Sequence, residues 1–155
     1  MDDLELVTYC GLYCGLCSRR ARTLPQASSL RQAMQREGWD KWAVDDPSFP
    51  HFKEFWTYLG RLAGLQPSCR KGCGPSFCTM RKCAQEKKVV ACPLCDEYPC
   101  QRVLSIAAGY PTMLADGQRM KSKGVSAWVQ EQEERRKTGF AYADIRYLPY
   151  SVPDK

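Results

Sequence analysis

Along this chain the apolar residues recur at helical intervals, and nowhere do they alternate with polar ones over a useful length. The clearest stretch starts at Phe52. Phe52, Phe55, Trp56, Leu59, Leu62 and Ala63 fall at i, i+3, i+4, i+7, i+10 and i+11, a broad stripe on one helix face. Ser48 is a suitable cap and Gly64 a suitable stop, and this helix is expected to form the centre of the core. Upstream, Ser29 with Gln32 makes a capping-box signal and Gly38 a stop, predicting a short helix over about 30–37. Leu24-Pro25 reads as a break before it, and residues 39–50, with Asp45-Asp46-Pro47, read as a loop. Downstream, one short helix fits 78–88. A second follows Pro99 through Val103, Leu104 and Ala107 to Gly109. A third runs from Pro111 to Gly124, and a fourth, capped by Ser126, covers 127–137 with its charges outward. Residues 140–150 carry four aromatics with Ile145 and Leu148, too apolar for a free tail, so they are predicted to pack back. There is no internal repeat and no low-complexity tract. The fold class is mainly α: a small irregular helical domain with cysteine-rich metal-binding loops. It is expected to be a single domain over 1–155, with a cysteine-rich part over 9–100 and a helical extension over 101–155.

Composition adjusts this picture in three ways. At 155 residues, with four Trp, eight Tyr and five Phe, the chain can build a real core, so cysteine sites assist the core and need not replace it. The start, Met-Asp-Asp-Leu-Glu-Leu-Val, is acidic where a signal peptide is basic, and nothing approaches the ~20 apolar residues of a membrane span. Membrane insertion is therefore not expected, and a cytoplasmic location with reduced thiols is. The charge of +6 is mild and scattered. Basic charge without a reading element gives no reason to expect nucleic acid as a partner. A protein partner, of unknown identity, would meet the aromatic surface near Trp39, Trp42 or the tail.

The cysteines change the picture most. Cys10, Cys14 and Cys17 sit near the start, and Cys69, Cys73, Cys78, Cys83, Cys92, Cys95 and Cys100 fall within 32 residues; there are no others. Metal sites draw thiolates from short loops that fold back on one ion, so ligands cluster at spacings of two to four. Cys92-x2-Cys95, with Pro93 stiffening the turn, has that spacing. Cys69-x3-Cys73 lies among glycines that permit tight turns. Cys78 and Cys83, five apart on one helix, do not share a face and are expected to serve different sites. Ten thiols divide as four, four and two: two zinc ions, or two [4Fe-4S] clusters, with a remainder of two. His51 reads as a surface or helix-start residue, so all-cysteine sites are favoured.

Other readings of the cysteines carry less. Five disulfides would require a secreted domain. Cys10-x3-Cys14-x2-Cys17 has the spacing of radical S-adenosylmethionine enzymes, but those need a partial α/β barrel this chain cannot supply. A triad completed by a thiol from 69–100, stapling the start of the chain to its middle, fits better. A Cys-x-x-Cys redox switch follows a strand in a βαβ unit, and none is visible. No catalytic constellation is identifiable, and whether the chain is an enzyme stays open. Where a cysteine is merely a buried apolar residue, Cys69, Cys73 and Cys83 are the candidates.

Y-C-G-L-Y-C-G-L-C near the start, followed by C-T-M-R-K-C-A-Q-E-K-K-V-V-A-C-P-L-C-D-E-Y-P-C, resembles the bacterial and archaeal proteins grouped as "domain of unknown function 3795". The likeness covers roughly residues 9–100. It implies metal-binding positions, commonly taken as zinc, at Cys10, Cys14, Cys17, Cys78, Cys83, Cys92, Cys95 and Cys100. Cys69 and Cys73 fall where members often carry a Cys-x-x-Cys pair, here one residue longer. The expected function is a zinc protein with structural cysteine sites, acting as a binding module. The alternative is an iron–sulfur protein carrying electrons or serving an anaerobic enzyme complex. A third reading places nucleic acid on the face from Arg70 to Lys88.

Overall fold

A computed structural model describes residues 4–146. The protein is mainly helical, and the extended pairing among the described residues is a lone bridge between Val7 and Tyr13. The chain divides into two compact units. One is Ser18–Gln66; the other combines the residues up to Cys17 with those from Pro67 onward and holds all ten cysteines.

In the smaller unit, a π-helical turn at Arg19–Thr23 runs directly into α1, Leu24–Arg36. Pro25 therefore does not break a helix. It sits in the first turn of α1, a position that tolerates proline, and the π-helical turn before it continues into the helix. Gly38, at φ +76°, ends α1 and opens α2, the single turn Trp39–Trp42, so residues 39–50 are not all loop. α3 spans Phe52–Gly64 and packs against α1. Its N-cap is His51, in the left-handed region at φ +66°, and not Ser48. Ser48 instead donates through its backbone N–H and its hydroxyl to Asp46 Oδ1, at 2.8 and 2.5 Å. Of the predicted stripe, only Phe52 and Leu59 are buried, and Phe55 is 44% exposed. The stripe is wider than the α1 face that covers it, so α3 does not centre the principal core.

That core lies in the larger unit, built from α4 (Thr79–Glu86), α5 (Gln101–Ala107), α6 (Thr112–Lys123), α7 (Val125–Lys137) and α8 (Ala143–Arg146). Trp128 of α7 is fully buried with Val7, Leu16 and Met120. An adjoining cluster of Met80, Val103, Ala107 and Met113 backs onto the cysteine loops. α7 turns a partly polar face inward. Gln132 is fully buried, and Arg135 Nη1 donates to Asp116 Oδ1 at 3.1 Å and to Gln132 Oε1 at 2.7 Å. The Tyr142 hydroxyl donates to Asp116 Oδ2 at 2.8 Å and accepts from the Tyr13 N–H at 3.1 Å. Phe140 and Tyr142 thus pack back as predicted, with the Arg135 guanidinium 4.3 Å from the Phe140 ring. Tyr147, Leu148 and Tyr150 lie outside the described residues.

Candidate metal centres

Three tight turns present six of the cysteines. Cys14–Leu16 and Cys92–Leu94 are 3-10 turns of the same build. Each is entered from an extended residue, Tyr13 or Ala91, and left through an extended cysteine, Cys17 or Cys95. The second cysteine donates its N–H to the carbonyl of the first, at 3.1 Å for Cys17 and 3.0 Å for Cys95. Such a turn keeps two thiols within reach of one point, which is what a Cys-x2-Cys ligand pair requires. The third turn, Cys69–Lys71, ends on Gly72 at φ +86°, a conformation glycine adopts without strain. Gly72 absorbs the extra residue of Cys69-x3-Cys73.

The turns gather the thiols into two sets. Cys14, Cys17, Cys69 and Cys73 form the first. The Cys69 N–H donates to Cys14 Sγ at 3.3 Å, and burial pushes the Cys14 thiol up to about 11, with Cys69, Cys17 and Cys73 pushing the same way. Cys83 from α4, Cys92 and Cys95 from their turn, and Cys100 at the N-cap of α5 form the second. These four line a cavity of about 20 Å³ together with Ala84, Tyr98 and Val103. Burial pushes the Cys92 thiol up to about 12, reinforced by Cys10, Cys100, Cys83 and Cys95.

Cys10 and Cys78 remain. The Cys10 thiol lies 3.1 Å from Thr8 Oγ1; burial raises it, with Cys69 and Cys78 as further causes. It stands between the sets, neighbour to Cys69 on one side and Cys92 on the other. Cys78 is thus a neighbour of Cys10, whereas Cys83 lines the small cavity. Of the early triad, Cys14 has Cys17, Cys69 and Cys73 as neighbours, while Cys10 has Cys69 and Cys78. All ten are free thiols. Among the described residues no three Cys, His, Asp or Glu side chains close to metal-ligand distance; the thiols gather without converging on a point. The buried cysteines are Cys14 and Cys92, not Cys69, Cys73 or Cys83, because Cys14 and Cys92 open turns that lie against the core. His51 is an exposed helix-start residue, as its sequence context predicts.

Several neighbours have no sequence signal. Lys87 Nζ lies 4.0 Å from Cys95 Sγ and 2.5 Å from Glu97 Oε1, a cation beside the second set. Tyr98 is raised to about 12 by burial, with Cys92 and Cys10 adding to it. Gly11, at φ +91°, lies so close to the Cys92–Cys95 turn that a Cβ would stand 2.5 Å from Pro93 Cγ. Gly11→Ala is expected to cost about 2–4 kcal/mol, from left-handed strain plus overpacking. Gly109, with φ outside the left-handed region and a Cβ that would meet only the Ile106 carbonyl at an ordinary 3.9 Å, supplies the control: Gly109→Ala should stay within ~0.5 kcal/mol in urea unfolding.

The raised thiols also set a pH dependence. In the metal-free, reduced protein the folded pKa values of Cys14 and Cys92 exceed the unfolded value of about 8.5. Their stabilising contribution is complete below that pH and is lost as pH rises through about 11–12. The urea midpoint of metal-free protein is expected to fall as pH is raised above 8.5, and to fall less in Cys92→Ala.

The basic run from Arg70 to Lys88 is largely committed within the fold. Arg70 donates to the Val7 and Val90 carbonyls and lies over the Tyr9 ring, Arg81 donates to the Cys73 carbonyl, and Lys71 pairs with Glu5. No helix among the described residues is long and apolar enough to cross a membrane.

Fold and cysteine layout together define a cysteine-rich, mainly helical protein. The family model described as "Protein of unknown function (DUF3795)" matches residues 6–105, more than half of the chain, and the chain belongs to that family. No curated protein and no solved structure matches it.

Proposed function

We propose that this is a zinc-binding protein in which two sets of four cysteines hold the larger unit together, leaving the chain to act as a binding module. Cys14, Cys17, Cys69 and Cys73 would hold one ion, and Cys83, Cys92, Cys95 and Cys100 the other. The observation that carries this reading is the cavity of about 20 Å³ lined by the second set. It has room for one water-sized body, since a single water needs roughly 10–15 Å³. That space favours a single ion over a cubane of eight iron and sulfur atoms. Four thiolates around a single small ion is the donor set of structural zinc, with no open position for a substrate. The sets differ in what surrounds them, for Lys87 beside Cys95 would offset part of the negative charge that four thiolates place on a zinc ion.

The test is metal analysis with a visible spectrum on protein purified without oxygen. About two zinc ions per chain and no colour is the expected result. Brown protein with iron and acid-labile sulfide would replace zinc by the iron–sulfur alternative. Fewer than one metal per chain of any kind would end the metal reading.

A further inference from the structure

The smaller unit carries a pocket that the cysteines do not explain. Trp39, Phe49, Phe52 and Phe55, with Met34 and Pro50, enclose an open cavity of about 310 Å³, the low end of the range for small-molecule sites. Its walls are aromatic rings packed on one another at angles. Trp39 and Phe49 meet nearly edge to face, at 5.3 Å and 73°, while Phe52 is tilted 31° from Trp39 at 6.2 Å. Phe49 is 39% exposed and Phe55 44%, a large aromatic area to leave in water without use.

The charge around the pocket is mainly negative. Glu37 Oε2 accepts the Trp39 indole N–H at 3.1 Å, Asp46 accepts both Ser48 donors, and Glu54 stands 4.0 Å from His51 Nδ1. Ser48 and His51 complete the lining, so three lining residues each hold a carboxylate. From Glu37 to Glu54 the chain has five acidic residues, Glu37, Asp40, Asp45, Asp46 and Glu54, against Lys41 and Lys53, in a protein whose net charge is +6. Aromatic faces attract cations through their negative quadrupole, and the surrounding carboxylates strengthen that attraction. With the indole N–H and the serine already bonded, the lining offers a guest mainly aromatic and aliphatic carbon. A primary ammonium entering there would have to exchange its water hydrogen bonds for the carboxylates at the rim, whereas a quaternary ammonium has none to lose.

We infer that this pocket binds a small, free quaternary ammonium compound. The inference gives the binding-module reading a ligand class, and it does not depend on the metal.

The experiment is a titration of the full-length, as-purified protein, followed by tryptophan fluorescence and calorimetry, with its zinc measured on the same sample. The probes are choline and its neutral carbon isostere, 3,3-dimethylbutan-1-ol. Choline is expected to bind about tenfold more tightly than the isostere. Trp39→Leu should abolish the difference. Should Trp39→Leu fail to fold, Glu54→Gln and Asp46→Asn, both at exposed positions, should each weaken choline a few-fold and leave the isostere unchanged. Equal binding of the two probes, or no binding of choline at 50-fold above ~1 mM, would overturn the inference even where zinc is present. Binding of a trimethyllysine peptide much more tightly than choline would overturn it too, since the guest would then be a protein segment.

Discussion

Cys92→Ser is expected to lower bound zinc from about two ions per chain to about one, and Cys78→Ser to leave it at about two. The contrast follows from the grouping, because Cys92 lines the small cavity with Cys83, Cys95 and Cys100 whereas Cys78 lies outside it, near Cys10. An ion bound only by the folded state stabilises that state by about 4 kcal/mol when free metal stands a thousandfold above Kd. At roughly 2–4 °C per kcal/mol for a chain of this size, its loss should lower the thermal midpoint by about 8–16 °C. Cys78→Ser should move it by only a few degrees. Inductively coupled plasma metal analysis and calorimetry on the two variants make the comparison. Equal zinc in both, or loss from Cys78→Ser alone, would mean that the thiols are divided differently.

Asp116→Ala should destabilise the metal-loaded protein by about 3 kcal/mol. Asp116 is only 1% exposed and receives both Arg135 Nη1 and the Tyr142 hydroxyl. Removing one partner of a buried ion pair costs about 3–5 kcal/mol, because the other charge is stranded. The lower end applies here, since the Arg135 side chain keeps 24% of its surface in water. Tyr142→Phe, which deletes the hydrogen bonds to Asp116 and from the Tyr13 N–H but strands no charge, should cost about 2 kcal/mol. Urea unfolding of the single variants and of Asp116→Ala with Arg135→Met closes the cycle. A cost for Asp116→Ala below ~1 kcal/mol would mean that the network contributes no more than an exposed pair.

This network also marks where periodicity fails as a guide. α7 reads from sequence as a helix whose charges all face outward, yet Gln132 is fully buried and Arg135 reaches Asp116. A polar residue counts as surface in a hydrophobic pattern unless its partner is known, and here the partner is nineteen residues away in sequence. The reverse error occurs at α3. Its stripe is broad enough to centre a core, but within the unit 18–66 it packs mainly against α1, and Phe55 and Tyr58 stay largely in water. That error is informative, for the surplus aromatic surface is what makes the pocket at Trp39.

Local physics was legible throughout. Apolar spacing fixed the number and approximate place of the long helices, Gly38, Gly124 and Gly139 marked ends, and Cys92-Pro-Leu-Cys95 announced a tight turn. Each depends on residues within a few positions of one another. The pairing of turns does not. That Cys14 meets Cys69, that Cys83 and Cys100 join Cys92, and that Cys10 comes near Cys69 and Cys78 were decided by how α4 to α7 pack around Trp128 and Met113. The sequence by itself determined that ten thiols would sit in short loops between helices; only the tertiary structure decided which four share a space, because a thiol carries no mark of its partner until the core brings two loops together.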